Sequence, residues 1–279
     1  MNFTEKLLAA THQHQSLLCV GLDPEPGRLP SSLIDRPIEV AITRFCCEII
    51  EATAPFVSAF KPNLAFFEAL GPKGMLALQA VIKTIPANIP IIADAKRGDI
   101  GNSARNYAAA IFDVYGCDAM TVNAYLGLDS IAPFLAYQDK GVLVLCRTSN
   151  PGARDFQDLL VQDADGHAHP LYEEVARRVQ SWNQFGNCGL VVGATYPQEL
   201  ATIRALCPDM PILIPGVGTQ GGDLEASVRA GGDANGERAI ISVSRAILYA
   251  DSGPHFAKAA GEQAQMFRQQ MQEAQKNAE

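Results

Sequence analysis

Eight short apolar segments recur along the 279-residue chain, and each is followed by polar or Gly/Pro residues and then by a stretch with helical spacing. The segments cover residues 16–23, 56–62, 89–96, 119–125, 141–149, 188–195, 211–218 and 239–246. They are continuously apolar, which is typical of parallel strands that are buried on both faces of a sheet. Eight strand–helix units in succession predict an α/β fold of the (β/α)8 or TIM-barrel type. An open, doubly wound sheet is the alternative that the same alternation allows.

The barrel is expected to form one domain over residues 1–279, because this length suits a single α/β barrel and no linker or low-complexity tract interrupts it. An extended loop and helix insertion is predicted at about residues 150–187, after the fifth strand. The connection there is longer than the few residues that usually join a strand to the next helix. Long ordered loops at the catalytic end of a barrel often act as lids.

The composition and the charge indicate the cellular compartment and exclude some classes of partner. The net charge of −8 and the pI near 5.2 argue against a basic face that binds nucleic acid. The seven cysteines are an odd number without C-x-x-C spacing, and most lie in apolar runs, which indicates reduced thiols packed as small hydrophobic groups. No apolar run approaches the roughly 18 residues of a membrane span, and the N-terminus lacks the apolar region of a secretory signal. We therefore expect a cytoplasmic protein with no nucleic-acid or membrane partner.

Charged residues lie where the first three predicted strands end. Asp23 ends the first strand, Lys61 the second, and Asp94 and Lys96 the third, while Asp99 follows in the next loop or helix start. Residues two apart in a strand face the same way, and barrel chemistry takes place at the C-terminal ends of the strands. Charges of alternating sign at three successive strand ends indicate a functional site. A purely structural ion-pair network is the other interpretation.

The charge pattern also suggests a type of chemistry. Opposite charges about 4 Å apart attract by roughly 4 kcal/mol at an effective dielectric constant near 20. Two carboxylates beside Lys96 would therefore keep its amine protonated, whereas a Schiff-base lysine needs a neutral amine in an apolar or cationic pocket. Lys96 is accordingly predicted to be a cation and a proton donor. This arrangement suits a reaction in which a carbanion forms and takes up a proton from the ammonium group.

A second candidate site follows the seventh and eighth predicted strands, where barrels often bind phosphate. The segments are IPGVGTQGGD (214–223) and SVSRAI (242–247). Glycines such as Gly218 let backbone N–H groups approach an anion, Gln220 offers an amide donor, and Arg245 offers a bidentate guanidinium. The G-x-G-x-x-G spacing in the first segment also fits a Rossmann fingerprint, but no acidic residue follows at the required distance. Glycines that serve only a tight turn are the remaining alternative.

On six segments the sequence resembles the orotidine 5′-phosphate decarboxylases, in the form of their longer bacterial branch. The segments, in the family's order, are GLDPEP, AFKPNLAFFE, DAKRGDIGNSA, RTSNPGA, PGVGTQGGD and SRAI. The D-x-K-x-x-D pattern alone is shared with relatives that act on sugar phosphates, whereas the whole set is much more specific. The resemblance implies the decarboxylation of orotidine 5′-phosphate to uridine 5′-phosphate, in de novo pyrimidine biosynthesis, without a metal or an organic cofactor.

The resemblance also implies a role for each matching residue. Lys96 would protonate C6 of the pyrimidine as carbon dioxide leaves, Asp94 would lie against the substrate carboxylate, and Lys61 would complete the charge network. Asp99 would reach the site of a neighbouring subunit, so a homodimer is implied. The other implied substrate contacts are Asp23 and Lys61 at the ribose hydroxyls, Ile100 and Ser103 beside Asp99, Ser149 at the pyrimidine edge, and Pro215 and Gly218 in the loop of Gln220, which with Arg245 would hold the phosphate.

Two other functions remain open from the sequence. A sugar-phosphate lyase or decarboxylase on the same barrel would use Mg²⁺ bound by Asp94 and its neighbours, and chelation would abolish its activity. A non-catalytic sensor of a phosphorylated ligand would keep the barrel, but it has no need of four charges at the strand ends. The H-x-H pair of His167 and His169 could bind a metal, although its polar surroundings favour ordinary surface residues.

Overall fold

A computed structural model of the chain describes residues 1–218 and 222–277. In these residues eight parallel strands form a nearly closed barrel with helices between them, which confirms the (β/α)8 prediction. The barrel strands are β1 (Leu18–Leu22), β2 (Ala59–Pro62), β3 (Ile92–Arg97), β4 (Ala119–Val122), β5 (Gly141–Arg147), β8 (Cys188–Val192), β9 (Ile212–Pro215) and β10 (Ala239–Val243), and the other two strands are β6 (Leu160–Gln162) and β7 (Ala168–Pro170).

The sheet order is β2-β1-β10-β9-β8-β5-β4-β3. Parallel bridges from Phe60 to Ile91 and from Asn63 to Asp94 join β2 to β3 and complete the ring. The ring brings the C-terminal ends of β1, β2 and β3 together, because neighbouring parallel strands start and finish at the same ends of a barrel.

The helices, apart from α1 at the N-terminal end, surround the barrel and cover its outer face. They are α1 (Phe3–His14), α2 (Ile38–Thr53), α3 (Leu64–Glu68), α4 (Gly71–Thr84), α5 (Gly101–Ala109), α6 (Leu128–Leu135), α7 (Leu171–Trp182), α8 (Pro197–Leu206), α9 (Leu224–Gly231), α10 (Arg245–Leu248) and α11 (Phe256–Lys276). In α2, the buried residues Ile42, Phe45 and Ile49 recur at helical spacing and join the core between helices and strands. Among the described helices, none combines the length and the apolar character that crossing a membrane requires.

The interior of the barrel contains an apolar layer to which each of the eight strands contributes one side chain. Its members are Cys19, Ala59, Ile92, Ala119, Leu143, Val191, Leu213 and Ile240. Helix α1 closes the N-terminal end of the barrel by packing Phe3 and Leu7 against this layer. A Cβ atom at Gly141 would lie 2.3 Å from the Phe3 ring, so the absence of a side chain there lets the helix seat closely.

Two residues further along the strands, the interior becomes polar. These positions include Lys61, Asp94, Thr121 and Ser242, which are all buried. The change follows from the period of two along a strand, since the same face carries Ala59 and then Lys61. The charged residues therefore stand on a layer of hydrocarbon at the C-terminal end of the barrel.

The connection from β5 to β8 contains more structure than a loop and a helix. A 3-10 turn at Pro151–Asp155 leads into the antiparallel hairpin β6–β7, and α7 follows. The hairpin was not predicted from the sequence, because its strands have only three residues each, half of them exposed, and so lack a continuous apolar run.

Candidate active site

Two lysines converge on one aspartate at the mouth of the barrel. Nζ of Lys61 donates to Oδ2 of Asp94 at 2.9 Å, and Nζ of Lys96 donates to Oδ1 of the same carboxylate at 2.5 Å. Lys61 and Asp94 are buried, with 4% and 9% of their surface exposed, whereas the side chain of Lys96 is 49% exposed. The arrangement thus consists of a buried ion pair and a second, half-exposed lysine.

The protonation states of the buried pair follow from opposing effects. Burial by itself would lower the pKa of Lys61, but the attraction of Asp94 and then of Asp23 outweighs it, and the net direction is upward. Burial would raise the pKa of Asp94, but Lys61 and then Lys96 hold that pKa well below its usual range. Both groups are therefore charged at neutral pH.

The charged group borders a cavity of about 460 Å³ at the C-terminal end of the barrel. Of the residues that the sequence singled out, Asp23, Lys61, Asp94, Lys96, Ser149, Pro215 and Arg245 line it. Oδ1 of Asp23 is buried and has no hydrogen-bond partner among the described residues, although such atoms are usually paired. The backbone carbonyl of Asp23 accepts a hydrogen bond from the Tyr249 hydroxyl at 3.1 Å, which fixes the segment that carries this carboxylate.

The opposite side of the cavity has the features of an anion site. Pro215 and Gly216 at the end of β9, and Arg245 after β10, line this side. Gly216 and Gly218 have φ angles of +100° and +86°, which L side chains rarely adopt, so glycine is required for this turn. Gly218 does not itself line the cavity, and Gln220 lies outside the described residues. Arg245 is exposed and forms no ion pair with a carboxylate of residues 1–218 or 222–277.

Besides Gly218, three of the singled-out residues do not line the cavity of their own chain. Asp99 lies after β3, and its Oδ1 accepts a hydrogen bond from the backbone N–H of Ile100 at 2.8 Å. The Ile100 side chain is exposed, and Ser103 is exposed on α5. Asp99 is half-buried, and none of the three is among the residues that line the cavity.

The insertion after β5 braces one wall of the cavity. Oε1 of Gln157 accepts from the N–H of Thr148 at 2.8 Å, and Nε2 of Gln157 donates to the Thr148 hydroxyl at 2.9 Å. Thr148 and its neighbour Ser149 line the cavity. The fully buried Arg147 guanidinium bonds Oε1 of Gln157 at 3.3 Å and pairs with Asp158 at 3.1 Å, which ties the insertion to the end of β5.

Sequence reasoning missed Thr121 on β4. Its hydroxyl donates to Oδ1 of Asp94 at 3.0 Å, in the polar layer that also contains Lys61. One signal could have found it: AMTV is an apolar strand with a single hydroxyl, two residues after the inward-facing Ala119.

The two histidines of the H-x-H pair, His167 and His169, make unrelated contacts. His169 is buried, and its Nε2 lies 3.0 Å from Oε2 of Glu174. His167 is exposed in the turn of the β6–β7 hairpin, where its ligand atom and those of Asp163 and Asp165 lie within 4.8 Å of one another. Exposed acidic groups commonly form such turns without an ion, and this turn is remote in sequence from the strands that carry the cavity charges.

A family model, curated relatives and solved structures all match this chain to orotidine 5′-phosphate decarboxylases. Residues 16–260 match the model of the "Orotidine 5'-phosphate decarboxylase / HUMPS family". An orotidine 5′-phosphate decarboxylase of Dehalococcoides mccartyi is 51% identical over 268 residues, which cover 96% of each chain. The enzyme of the same name from an Azoarcus species is 53% identical over 264 residues, covering 93% of this chain and 94% of the relative. The solved structure of Leishmania donovani OMP decarboxylase superposes with a TM-score of 0.85 at 40% identity, covering 99% of both chains.

Proposed function

Because this chain belongs to the orotidine 5′-phosphate decarboxylase / HUMPS family and decarboxylates orotidine 5′-phosphate to uridine 5′-phosphate in pyrimidine biosynthesis, we propose that Lys96 is its proton donor. The observation that carries this proposal is the 2.5 Å contact between Nζ of Lys96 and Oδ1 of Asp94 at the cavity wall. A lysine held against a carboxylate is kept as an ammonium group, and its exposed side chain leaves the proton accessible from the cavity.

The proposed step breaks the bond between C6 and the carboxylate carbon, and the electron pair stays on C6. The pair occupies an sp² orbital in the plane of the ring, so the ring delocalises it poorly. The Lys96 ammonium stabilises this charge electrostatically and then transfers a proton to C6, which leaves a neutral amine. Lys61 balances the charge of Asp94, so that Asp94 can remain ionised beside Lys96 throughout the reaction.

The substrate is proposed to span the cavity. The unpartnered Oδ1 of Asp23 would accept a hydrogen bond from a ribose hydroxyl, with Lys61 nearby. Arg245 and the loop after β9 would hold the phosphate, and Ser149 would contact the pyrimidine edge. Binding energy from the phosphate is then available to the reacting end of the molecule.

The test of the proton donor is Lys96→Ala, with Lys73→Ala as a matched control. Lys73 is an exposed lysine on α4 that pairs with Glu39 at 3.5 Å and does not line the cavity. We expect Lys96→Ala to fold with a normal circular dichroism spectrum but to give no turnover, as followed by the pyrimidine absorbance, whereas the control keeps the wild-type rate. A normal rate in folded Lys96→Ala would refute the assignment.

We also propose that the chain acts as a homodimer in which Asp99 enters the partner's site. The support is that Asp99 does not line the cavity of its own chain, and that large apolar side chains near it in the sequence and on the next strand–helix connection face solvent. These are Ile100, Tyr125, Leu126 and Leu128, with Tyr125 85% exposed. Contiguous exposed apolar residues of this kind mark interaction surfaces.

Mixing two inactive variants tests the shared site. In a heterodimer of Lys96→Ala and Asp99→Ala, one site carries both changes and the other is intact, so random reassortment restores about one quarter of the wild-type activity. The control mixes Lys96→Ala with Asp94→Asn, whose changes always leave one defect in each site, and restores nothing. If the first mixture stays as inactive as the control, Asp99 does not serve the partner's site.

A cytoplasmic location is the corresponding proposal for the environment. All seven cysteines are free thiols, and six of them are buried. A reducing compartment keeps such thiols unpaired.

A further inference from the structure

The segment of β3 that carries Asp94 and Lys96 is not a regular strand. β3 pairs with β4 at Ala93 and Met120 and next at Arg97 and Val122, with a shift of register between them. Three residues of β3 therefore lie opposite a single residue of β4, which is Thr121. This is a bulge, a feature that often redirects side chains next to active sites.

In the bulge, the Thr121 hydroxyl accepts backbone hydrogen bonds that a carbonyl of β4 would accept in a regular pair of strands. Its Oγ1 accepts from the backbone N–H of Ala95 at 3.0 Å and from that of Lys96 at 2.9 Å, and it donates to Oδ1 of Asp94 at 3.0 Å. A hydroxyl has one proton and two lone pairs, so these three bonds use its full capacity. Thr121 is only 1% exposed, so bulk water cannot replace the hydroxyl if it is removed.

The backbone of Lys96 needs such support. Its φ angle is +47°, in the left-handed region that residues with a side chain rarely adopt. Strained conformations of this kind persist only where the surroundings hold them, and they concentrate at active sites. The bond from the Lys96 N–H to Thr121 holds this conformation from the backbone side, while the contact with Asp94 holds Nζ from the other end.

We propose that Thr121 is a positioning residue for the decarboxylation: its hydroxyl fixes both the left-handed backbone of Lys96 and the orientation of the Asp94 carboxylate, and so aims the Lys96 ammonium at C6. This inference rests on the proposed role of Lys96 as proton donor. Thr121 itself does not line the cavity and touches no substrate. Its effect on the reaction therefore passes through Lys96 and Asp94.

Three substitutions test the proposal. Thr121→Val keeps the shape and loses the hydroxyl, Thr121→Ser keeps the hydroxyl, and Thr121→Cys offers a weak donor in a similar volume. Since displacements of about 1 Å in a reacting group can cost about 100-fold in rate, we expect kcat per folded molecule to fall by roughly 10- to 100-fold in Thr121→Val, with KM changed less than about threefold. The expected order of kcat is Ser, then Cys, then Val.

The outcomes separate positioning from a structural role. If Thr121→Val melts at a lower temperature but keeps the wild-type kcat per folded molecule, the hydroxyl serves only the stability of the bulge and the proposal is overturned. If Thr121→Val does not fold, equal kcat values for Thr121→Ser and Thr121→Cys overturn it instead. A rise in KM at constant kcat has the same consequence, because it places the effect in binding.

A double variant separates this proposal from the one it rests on. In a Lys96→Ala background, only the trace rate that a more sensitive assay of released carbon dioxide detects is left, and Thr121→Val is expected to lower it no further, because the residue that it positions is gone. A further loss comparable to that in the wild-type background contradicts action through Lys96. If Lys96→Ala is inactive and Thr121→Val is fully active, only the Thr121 proposal fails, whereas an active Lys96→Ala removes the premise of both.

Discussion

The buried pair of Lys61 and Asp94 can be broken from one side by Lys61→Met, which keeps an unbranched side chain one atom shorter and removes its charge. The 2.9 Å bond to Oδ2 of Asp94 is then lost, while Lys96 and Thr121 still occupy Oδ1. Both partners are more than nine-tenths buried, so solvent screening does not reduce the effect. Removal of one partner of a buried ion pair costs about 3–5 kcal/mol, which for a chain of this size lowers Tm by on the order of 10 °C.

The double variant Lys61→Met/Asp94→Asn provides the control, because it removes both charges. It should be more stable than Lys61→Met alone, since no buried carboxylate is left with its Oδ2 unpaired. Urea unfolding followed by circular dichroism gives the free energy of unfolding of wild type, both single variants and the double variant. A coupling energy of about 2 kcal/mol or more is expected for a directly bonded buried pair, and strictly additive single effects would refute the reasoning.

The difference in the free energy of unfolding between wild type and Lys61→Met should depend on pH in a direction that the pKa of Asp94 determines. The folded-state pKa of Asp94 lies below its unfolded value near 3.9, so its stabilising contribution is present above that pH and is lost as the pH falls toward the folded value. Lys61→Met removes the main group that keeps this pKa low. The gap in stability between wild type and Lys61→Met should therefore be full at neutral pH and narrow below about pH 4. A gap that widens with acid would contradict the assignment of charges.

Three further predictions concern the rest of the site. Arg245→Ala should raise KM and lower kcat/KM by about 10- to 100-fold, because a charged contact contributes roughly 1.5–3 kcal/mol, and an unchanged kcat/KM in the absorbance assay would contradict phosphate binding there. Gln157→Leu should raise KM by about tenfold through its two lost bonds to Thr148, whereas Gln184→Leu, an exposed position, should not. EDTA should leave the rate of the purified enzyme unchanged, since both Asp94 oxygens already accept from lysines, and inactivation would favour the magnesium-dependent alternative.

Much of the fold and part of the site could be predicted because their signals are local in the sequence. Continuous apolar runs separated by helical stretches predicted the barrel, and the ring of parallel strands then placed Asp23, Lys61 and Asp94 at one mouth. The placement of the strand ends needed only the spacing of residues within a strand and the common direction of the strands. The period of two also predicted that Lys96 lies on the same side as Asp94; the two side chains do meet, but through the bulge in β3 rather than through a regular strand.

Other features depend on contacts between distant segments, and the sequence carries little trace of them. The bulge in β3 forms opposite Thr121, and its left-handed residue is a lysine. The glycine that usually signals such a conformation in a sequence is absent at this position. The fully buried Arg147 looks like a surface residue in the printed sequence, and its guanidinium stacks 3.9 Å from the centre of the Tyr196 ring. Nor does any local pattern show that Asp99 lies outside the lining of its own cavity.

Helix α1 closes the N-terminal end of the barrel, below the buried pair of Lys61 and Asp94. Phe3 on this helix can therefore influence the decarboxylation although it does not line the cavity. The apolar layer and the Phe3 ring keep bulk water from the underside of Lys61, and even Cys19, directly below, stays uncharged because burial raises the pKa of its thiol to about 12. The attraction between Lys61 and Asp94 is strong only while that insulation is intact, since water would raise the local dielectric constant. Phe3→Ala, at the opposite end of the barrel, would let water reach this layer. It would thereby weaken the attraction between Lys61 and Asp94 without replacing any residue that lines the cavity.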